Sequence, residues 1–250
     1  MQMYLTLTRR ELSSYFVSVT GYVIIAAVAF LIGFSFKALI ANMGSDPYPM
    51  PVTELFYNTY LFWFILLLAT PVITMRLFAL EKFSGTFETL MTTPVTDLQV
   101  VLAKFTAALV FYMVMWLPLL VCLFVLHRFN ASPGGVDPGA VGVTFLGIFL
   151  LGCLFVSLGC FASAVTRSQM VAAMVSLAVG FTFFLLSMSA GHVPVSAPWQ
   201  QEVLGCFNLF DQMHDFSRGV VDTRPVVLYA SLTLFFLFLT LRAVESHRWK

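Results

Sequence analysis

The chain has 250 residues, of which 60% are hydrophobic and only 10% are charged, and its formal net charge is +1. Soluble globular domains carry about 25% charged residues, so this composition excludes a fold whose main solvent is water. The four cysteines include no Cys-x-x-Cys pair, and we interpret them as small packing residues rather than metal ligands.

The charged residues are spaced at the length of membrane-crossing helices. A hydrocarbon core about 30 Å thick needs about 20 mostly apolar residues per helix. Uncharged runs of 25, 21, 23, 29, 34 and 17 residues follow one another along the chain, and they lack the alternation of barrel strands. We therefore predict an all-α polytopic membrane protein with six transmembrane helices in one domain over 1–250. The predicted spans are approximately 19–41, 55–76, 102–127, 140–165, 169–190 and 225–243.

The segment before the first predicted span mixes polar and apolar residues and contains Tyr15 and Phe16. This pattern predicts a helix that lies along the inner membrane interface, and a frayed tail is the alternative. The first apolar run has no small-residue cleavage site after a short core, so we interpret it as a retained span rather than a signal peptide.

Lysine and arginine are distributed unequally between the two sides of the predicted topology. Placing both termini in the cytoplasm puts nine of these residues inside and four outside, in agreement with the positive-inside rule. We therefore predict a multi-pass protein of the bacterial cytoplasmic membrane with both termini cytoplasmic.

Two predicted spans contain an internal proline, Pro71 in span two and Pro118 in span three. Each proline removes a backbone hydrogen bond and can kink its helix. A static bend and a hinge for alternating access are both consistent with this placement. In span four, the small residues Gly152, Gly159 and Ser163 are predicted to permit close helix packing.

The inner connection between spans two and three predicts an amphipathic helix over approximately 78–93. Its apolar residues recur at helical intervals, with Glu81 and Glu88 on the opposite face. Thr96 followed by Gln99 indicates a capping box at the start of the next helix. The loop helix is either an interfacial linker or a docking helix that inserts into a groove of a partner protein.

The outer connection before span six, approximately 197–222, mixes aromatic and charged residues. It predicts short helices that are re-entrant or lie on the outer leaflet. Asp211, His214 and Asp215 have a helical spacing that suits a divalent cation. Solvated side chains at an interface are the commoner explanation of such a set, so no metal site is predicted.

The sequence contains no recognisable catalytic or nucleotide site. A phosphate-binding loop needs Gly-Lys-Ser/Thr, and none of the four lysines follows a glycine. Neither Gly-x-Ser-x-Gly nor His-Glu-x-x-His occurs. The predicted span interiors are free of charge, which argues against ion-coupled secondary transport. We therefore predict that the chain is not an enzyme and holds no cofactor of its own.

The string EKFSGTFETLMTTP in the inner loop follows the pattern E-x-x-x-G-T-x-E-x-L-x-x-x-P. It resembles the corresponding loop of type-2 ATP-binding-cassette permeases, with matches at Glu81, Gly85, Thr86, Glu88, Leu90 and Pro94. The C-terminal region is similar to the gliding-motility-type branch of that family. The matching residues there are Phe216, Ser217, Arg218, Gly219, Val220, Asp222, Arg248 and Trp249.

This resemblance implies the permease subunit of an exporter that is driven by separate cytoplasmic ATPases, which bind ATP and Mg²⁺. The expected partners are those ATPases, a second permease subunit that is identical or related, and membrane lipid, with no nucleic acid. The loop helix would be the coupling helix that is seated on the ATPase. The implied coupling residues are Glu81, Lys82, Gly85, Thr86, Glu88, Leu90 and Pro94. An ATPase-coupled scaffold, which transmits force to the cell envelope without solute transport, is the alternative.

Overall fold

The structure is a computed structural model that describes residues 2–42, 60–86, 95–129, 137–190, 205 and 207–248. Nearly all of these residues are helical and none of them lies in a strand, which confirms the all-α prediction. The helices in this part of the chain are α1 (Gln2–Val17), α2 (Val19–Asn42), α3 (Tyr60–Thr74), α4 (Ala79–Ser84), α5 (Asp97–Met115), α6 (Leu117–Phe129), α7 (Pro138–Val165), α8 (Gln169–Ala190), α9 (Leu209–Ser217) and α10 (Thr223–Arg248).

Six stretches of the described chain are long and apolar enough to cross a membrane, which confirms the predicted polytopic fold. They are Val19–Ala41, Leu61–Ser84, Asp97–Arg128, Pro138–Val165, Gln169–Ser189 and Thr223–Ser246. The sixth span, α10, is longer than the run of 17 uncharged residues that predicted it, because the helix continues into a polar turn. There, Arg242 and Glu245 form an exposed ion pair with an N–O distance of 2.8 Å.

Helix α7 lies at the centre of the bundle, and α3, α5, α8, α9 and α10 all pack against it. Its glycines permit this close packing. A Cβ atom at Gly152 would lie 2.3 Å from the ring of Tyr112, and one at Gly159 would lie 2.1 Å from Thr74 Oγ1. The predicted packing role of both glycines is therefore confirmed, since the neighbouring helices occupy the space of a side chain.

Helix α1 is packed against α5, so the alternative of a frayed N-terminal tail is wrong. The hydroxyl of Tyr4 donates a hydrogen bond to Thr106 Oγ1 at 3.0 Å. Tyr15 stacks on Phe111 with ring centroids 4.8 Å apart, and its hydroxyl donates to the carbonyl of Ile73. Burial in this contact holds the pKa of Tyr15 well above its usual range.

The third span consists of two helices rather than the single helix predicted over 102–127. Helix α5 ends at Met115 and α6 begins at Leu117, with Trp116 between them. Pro118 is therefore the second residue of a new helix, where the missing N–H is tolerated. Before the break α5 packs mainly against α1 and α7 and more lightly against α2, whereas α6 packs mainly against α2. The main neighbours of the span therefore change at the break.

Pro71 lies inside α3, as predicted, and that helix ends three residues later at Thr74. The hydroxyls of Thr70 and Thr74 donate to the carbonyls of Leu66 and Thr70, each at 2.8 Å. Residues 75–78 then turn the chain into α4. A hinge role for either proline stays a prediction.

The described part of the outer segment forms α9, which packs against α7 and α8. Asn208 caps this helix, because its Oδ1 accepts a hydrogen bond from the backbone N–H of Asp211 at 3.3 Å. Phe210 contacts Trp63 of α3, with ring centroids 4.5 Å apart. Within the described residues, no group of three His, Cys, Asp or Glu side chains is placed to hold a metal ion.

Candidate functional site

The first turn of α4 is capped by a side chain from a distant helix. Phe78 is at the N-cap position but supplies no capping hydrogen bond of its own. Instead, Ser163 Oγ of α7 accepts from the backbone N–H groups of Phe78 and Ala79, at 3.0 and 3.1 Å. The same hydroxyl donates to the carbonyl of Met75 at 3.3 Å. Ser163, which the sequence identified only as a packing residue, therefore fixes the start of the inner loop helix.

The helix predicted over 78–93 is interrupted at Gly85, and residues 87–93 lie outside the described part of the chain. Helix α4 ends at Ser84, because Gly85 adopts the left-handed conformation with φ of +74°, which glycine adopts without steric cost. Thr86 follows the break, and its hydroxyl lies 2.8 Å from that of Ser84. The predicted capping box of Thr96 and Gln99 is confirmed at the start of α5. Three predicted coupling residues lie outside the described part of the chain: Glu88, Leu90 and Pro94.

Glu81 faces other helices of its own chain. Its Oε1 accepts a hydrogen bond from Lys104 Nζ of α5 at 2.8 Å and lies 3.7 Å from Arg10 of α1. Glu11 of α1 completes the group, 2.8 Å from Arg10 and 3.4 Å from Lys104. We call these four residues, Arg10, Glu11, Glu81 and Lys104, the four-charge cluster.

The four-charge cluster is balanced and partly removed from water. It contains two cations and two carboxylates, and the Lys104 side chain is only 2% exposed. A lysine is almost never so deeply buried unless it is paired. Lys104 also lies 5.4 Å from the ring centroid of Phe78, which adds a cation–π contact. The hydrogen bond that Arg10 donates to Glu11 raises the pKa of this guanidinium.

Lys82 makes a second link between α4 and α7. Its Nζ donates a hydrogen bond to the carbonyl of Ala164, in the last turn of α7. A cation is favourable at this end of a helix, where carbonyl groups lack intrahelical partners. Lys82 and Ser163 thus attach α4 to the same end of the central helix.

The outward surface of the segment is formed by residues 83–86, all of which are exposed. Phe83 is 79% exposed, although the sequence pattern places it among the apolar residues of the predicted helix. Leu77, from the same pattern, is buried instead. The apolar residues of the predicted helix therefore lie on two different surfaces: Leu77 packs inward, and Phe83 is exposed and available to a partner. Of the predicted coupling residues that the structure describes, Gly85 and Thr86 share the outward surface, whereas Glu81 and Lys82 bind their own chain.

A cavity of about 590 Å³ lies beside α4 and is lined by residues of α1, α5 and the end of the second span. It contains every member of the four-charge cluster together with Arg76 and Thr86. Charged side chains therefore converge at one end of the bundle, in contrast to the mainly apolar spans.

Comparison with known families identifies the family to which the chain belongs. Residues 10–240 match the family model of ABC-2 family transporter protein, a region that includes the four-charge cluster and begins within α1. No curated protein matches the chain significantly. Members of this family are the membrane components of transporters and associate with a separate ATP-binding-cassette ATPase subunit. The chain therefore belongs to the ABC-2 transporter family and is the multi-pass membrane permease component of an ATP-binding-cassette transporter.

Proposed function

We propose that this permease belongs to an exporter of the gliding-motility type. In this proposal, residues 1–250 form one permease domain that pairs with a second permease subunit, identical or related. Cytoplasmic ATPase subunits hold ATP and Mg²⁺ and drive the cycle. Closure of the ATPases displaces α4, and the spans rearrange to release substrate on the outer side.

The observation that carries the proposal is the attachment of α4 to three other helices. Ser163 and Lys82 join α4 to α7, and Glu81 joins it to α5 and α1. The Lys104–Glu81 pair is the strongest of these links, because Lys104 is only 2% exposed and removing one partner of a buried ion pair costs about 3 kcal/mol. A force applied to α4 is therefore passed to spans three and four and to the N-terminal helix.

The exposed end of α4 supplies the surface on which a force can act. Phe83 projects from this end, next to Gly85 and Thr86. Large aromatic side chains that enter a partner's groove dominate the energetics of many interfaces. In the proposed complex, Phe83 inserts into the ATPase and residues 84–86 surround it.

The charge distribution supports a cytoplasmic position for this end of the bundle. Nine of the 13 lysine and arginine residues fall on the side of α4 when both termini are cytoplasmic, as the positive-inside rule requires. An ATPase that uses cytoplasmic ATP would meet α4 on that side.

The first experiment is capture of the ATPase by the full-length chain in detergent, with Phe83→Ala compared with Phe34→Ala. Phe34 is also exposed, but lies within the first span. We expect Phe83→Ala to weaken capture about tenfold, because truncation of an interface anchor costs about 1–2 kcal/mol. Phe34→Ala should bind as the native chain does. Equal capture by both variants would refute the docking surface.

A second experiment separates export from the transmission of force without transport. The permease and its ATPase are reconstituted in inside-out vesicles and supplied with ATP and a total extract of cell metabolites and lipids. Solute accumulation that requires ATP hydrolysis supports the exporter. ATP hydrolysis that moves no component of the extract would instead support the scaffold.

A further inference from the structure

Among the described residues that line the cavity beside α4, one positive charge is not balanced by a carboxylate. The four-charge cluster accounts for two cations and two carboxylates. Arg76 is the fifth charged residue of the lining. Within the described chain, Arg76 donates hydrogen bonds to two hydroxyl groups, Ser18 Oγ at 3.3 Å and Thr20 Oγ1. No carboxylate in the described residues lies within ion-pair distance of Arg76, so the cavity suits a monoanion.

The position of Arg76 indicates where such an anion would come from. Arg76 follows the apolar run of the second span directly and bonds to the junction of α1 and α2. The residues on either side of Ser18, Val17 and Val19, are both exposed. Tyr22 and Val23 continue this exposed surface along the first turns of α2. An uncompensated arginine thus lies at the end of an apolar surface that enters the membrane.

We propose that the cavity binds the phosphate group of an anionic phospholipid from the membrane leaflet at this end of the bundle. The phosphodiester pairs with the Arg76 guanidinium, which presents N–H donors in a geometry that suits phosphate. Ser14 and Thr86 supply further hydroxyl donors in the lining. The acyl chains lie along the exposed surface that Val17, Val19, Tyr22 and Val23 form. This site does not depend on the direction of transport or on the docking of an ATPase.

The test measures lipid bound to the full-length chain, purified with its ATPase partner, by native mass spectrometry. Phosphatidylglycerol and phosphatidylcholine are compared because both carry a phosphodiester, but only the first has a net negative charge. We expect phosphatidylglycerol to be retained preferentially by the native chain. Arg76→Gln should weaken its binding about tenfold, the usual effect of losing a charge-assisted hydrogen bond, and Arg76→Lys should retain part of the preference.

The matched control is Arg9→Gln, which removes one positive charge from an exposed site on α1 that does not line the cavity. It should bind phosphatidylglycerol as the native chain does. Equal losses in Arg9→Gln and Arg76→Gln, or equal retention of the two lipids, would overturn the site. Displacement of the lipid by millimolar inorganic phosphate would also overturn it, because the cavity would then be a site for free phosphate. Thermal unfolding of each variant identifies any loss that is due to misfolding.

Discussion

Replacing Lys104 with methionine should unbalance the four-charge cluster and destabilise the fold. The side chain is 2% exposed and its Nζ lies 2.8 Å from Glu81 and 3.4 Å from Glu11. Removing one partner of a buried pair costs about 3–5 kcal/mol. Because the Glu81 side chain is 18% exposed and water can reach part of the cluster, we expect the lower limit, about 3 kcal/mol.

Combining Lys104→Met with Glu81→Gln tests whether the two residues act as a pair. Glutamine keeps an acceptor for Lys104 but loses the negative charge, so we expect a cost of about 2 kcal/mol. In the double variant one cation and one carboxylate are absent, and Arg10 remains paired with Glu11 at 2.8 Å. The double variant should therefore lose about 3 kcal/mol rather than the sum of about 5, which gives a coupling energy of about 2 kcal/mol.

The assay is equilibrium unfolding in mixed detergent and SDS, followed by the reaction of cysteine thiols with a fluorescent dye. Cys160 is buried in α7 and reports loss of the central packing. Lys37→Met is the control, because Lys37 is exposed on α2 and its replacement should change stability by less than about 0.5 kcal/mol. Additive costs of Lys104→Met and Glu81→Gln would show that the two residues do not act as a pair.

Three further substitutions test the contacts around α4 and α7. Ser163→Ala removes the cap of α4 and should cost about 1–2 kcal/mol in the same unfolding assay, whereas an unchanged stability would contradict the capping role. Gly159→Ala should cost about 1–3 kcal/mol by overpacking against Thr74, while Gly142→Ala should be close to neutral, because a Cβ atom added there would meet no atom of a neighbouring helix within 4 Å. Gly85→Ala should cost about 1 kcal/mol of local strain and reduce ATPase capture, and undiminished capture would show that the left-handed turn is dispensable.

The spans were predictable because the bilayer imposes a length on each apolar run, and this signal is local in sequence. A kink near Pro118 was predicted for span three, but its position at Trp116 was not, since the residues on both sides of the break are equally apolar. The interruption of the loop helix at Gly85 was not predicted either. Helical periodicity continues past residue 85, and a periodic pattern carries no information about the positive φ that Gly85 adopts.

The contacts of Glu81 could not be predicted from the sequence. The motif places Glu81 in the inner loop, and its coupling role stays a prediction. Its partners Glu11 and Lys104 belong to distant parts of the chain, and no local signal joins them. Ser163 has no local signal either, because its capping role depends on the position of α7 beside the loop. The sequence shows that Phe83 and Leu77 are both apolar, but only the structure shows that Phe83 is exposed and Leu77 is buried.

The contact between Ser163 and α4 also sets an order of events during synthesis. The hydroxyl lies 85 residues after the N–H of Phe78 that it caps, so α4 cannot reach its native geometry when it first leaves the ribosome. Its start becomes fixed only after the fourth span has been made and placed beside the second. A chain that stalls before that point lacks the capped start of α4, and a partner that requires this geometry would distinguish complete subunits from incomplete ones.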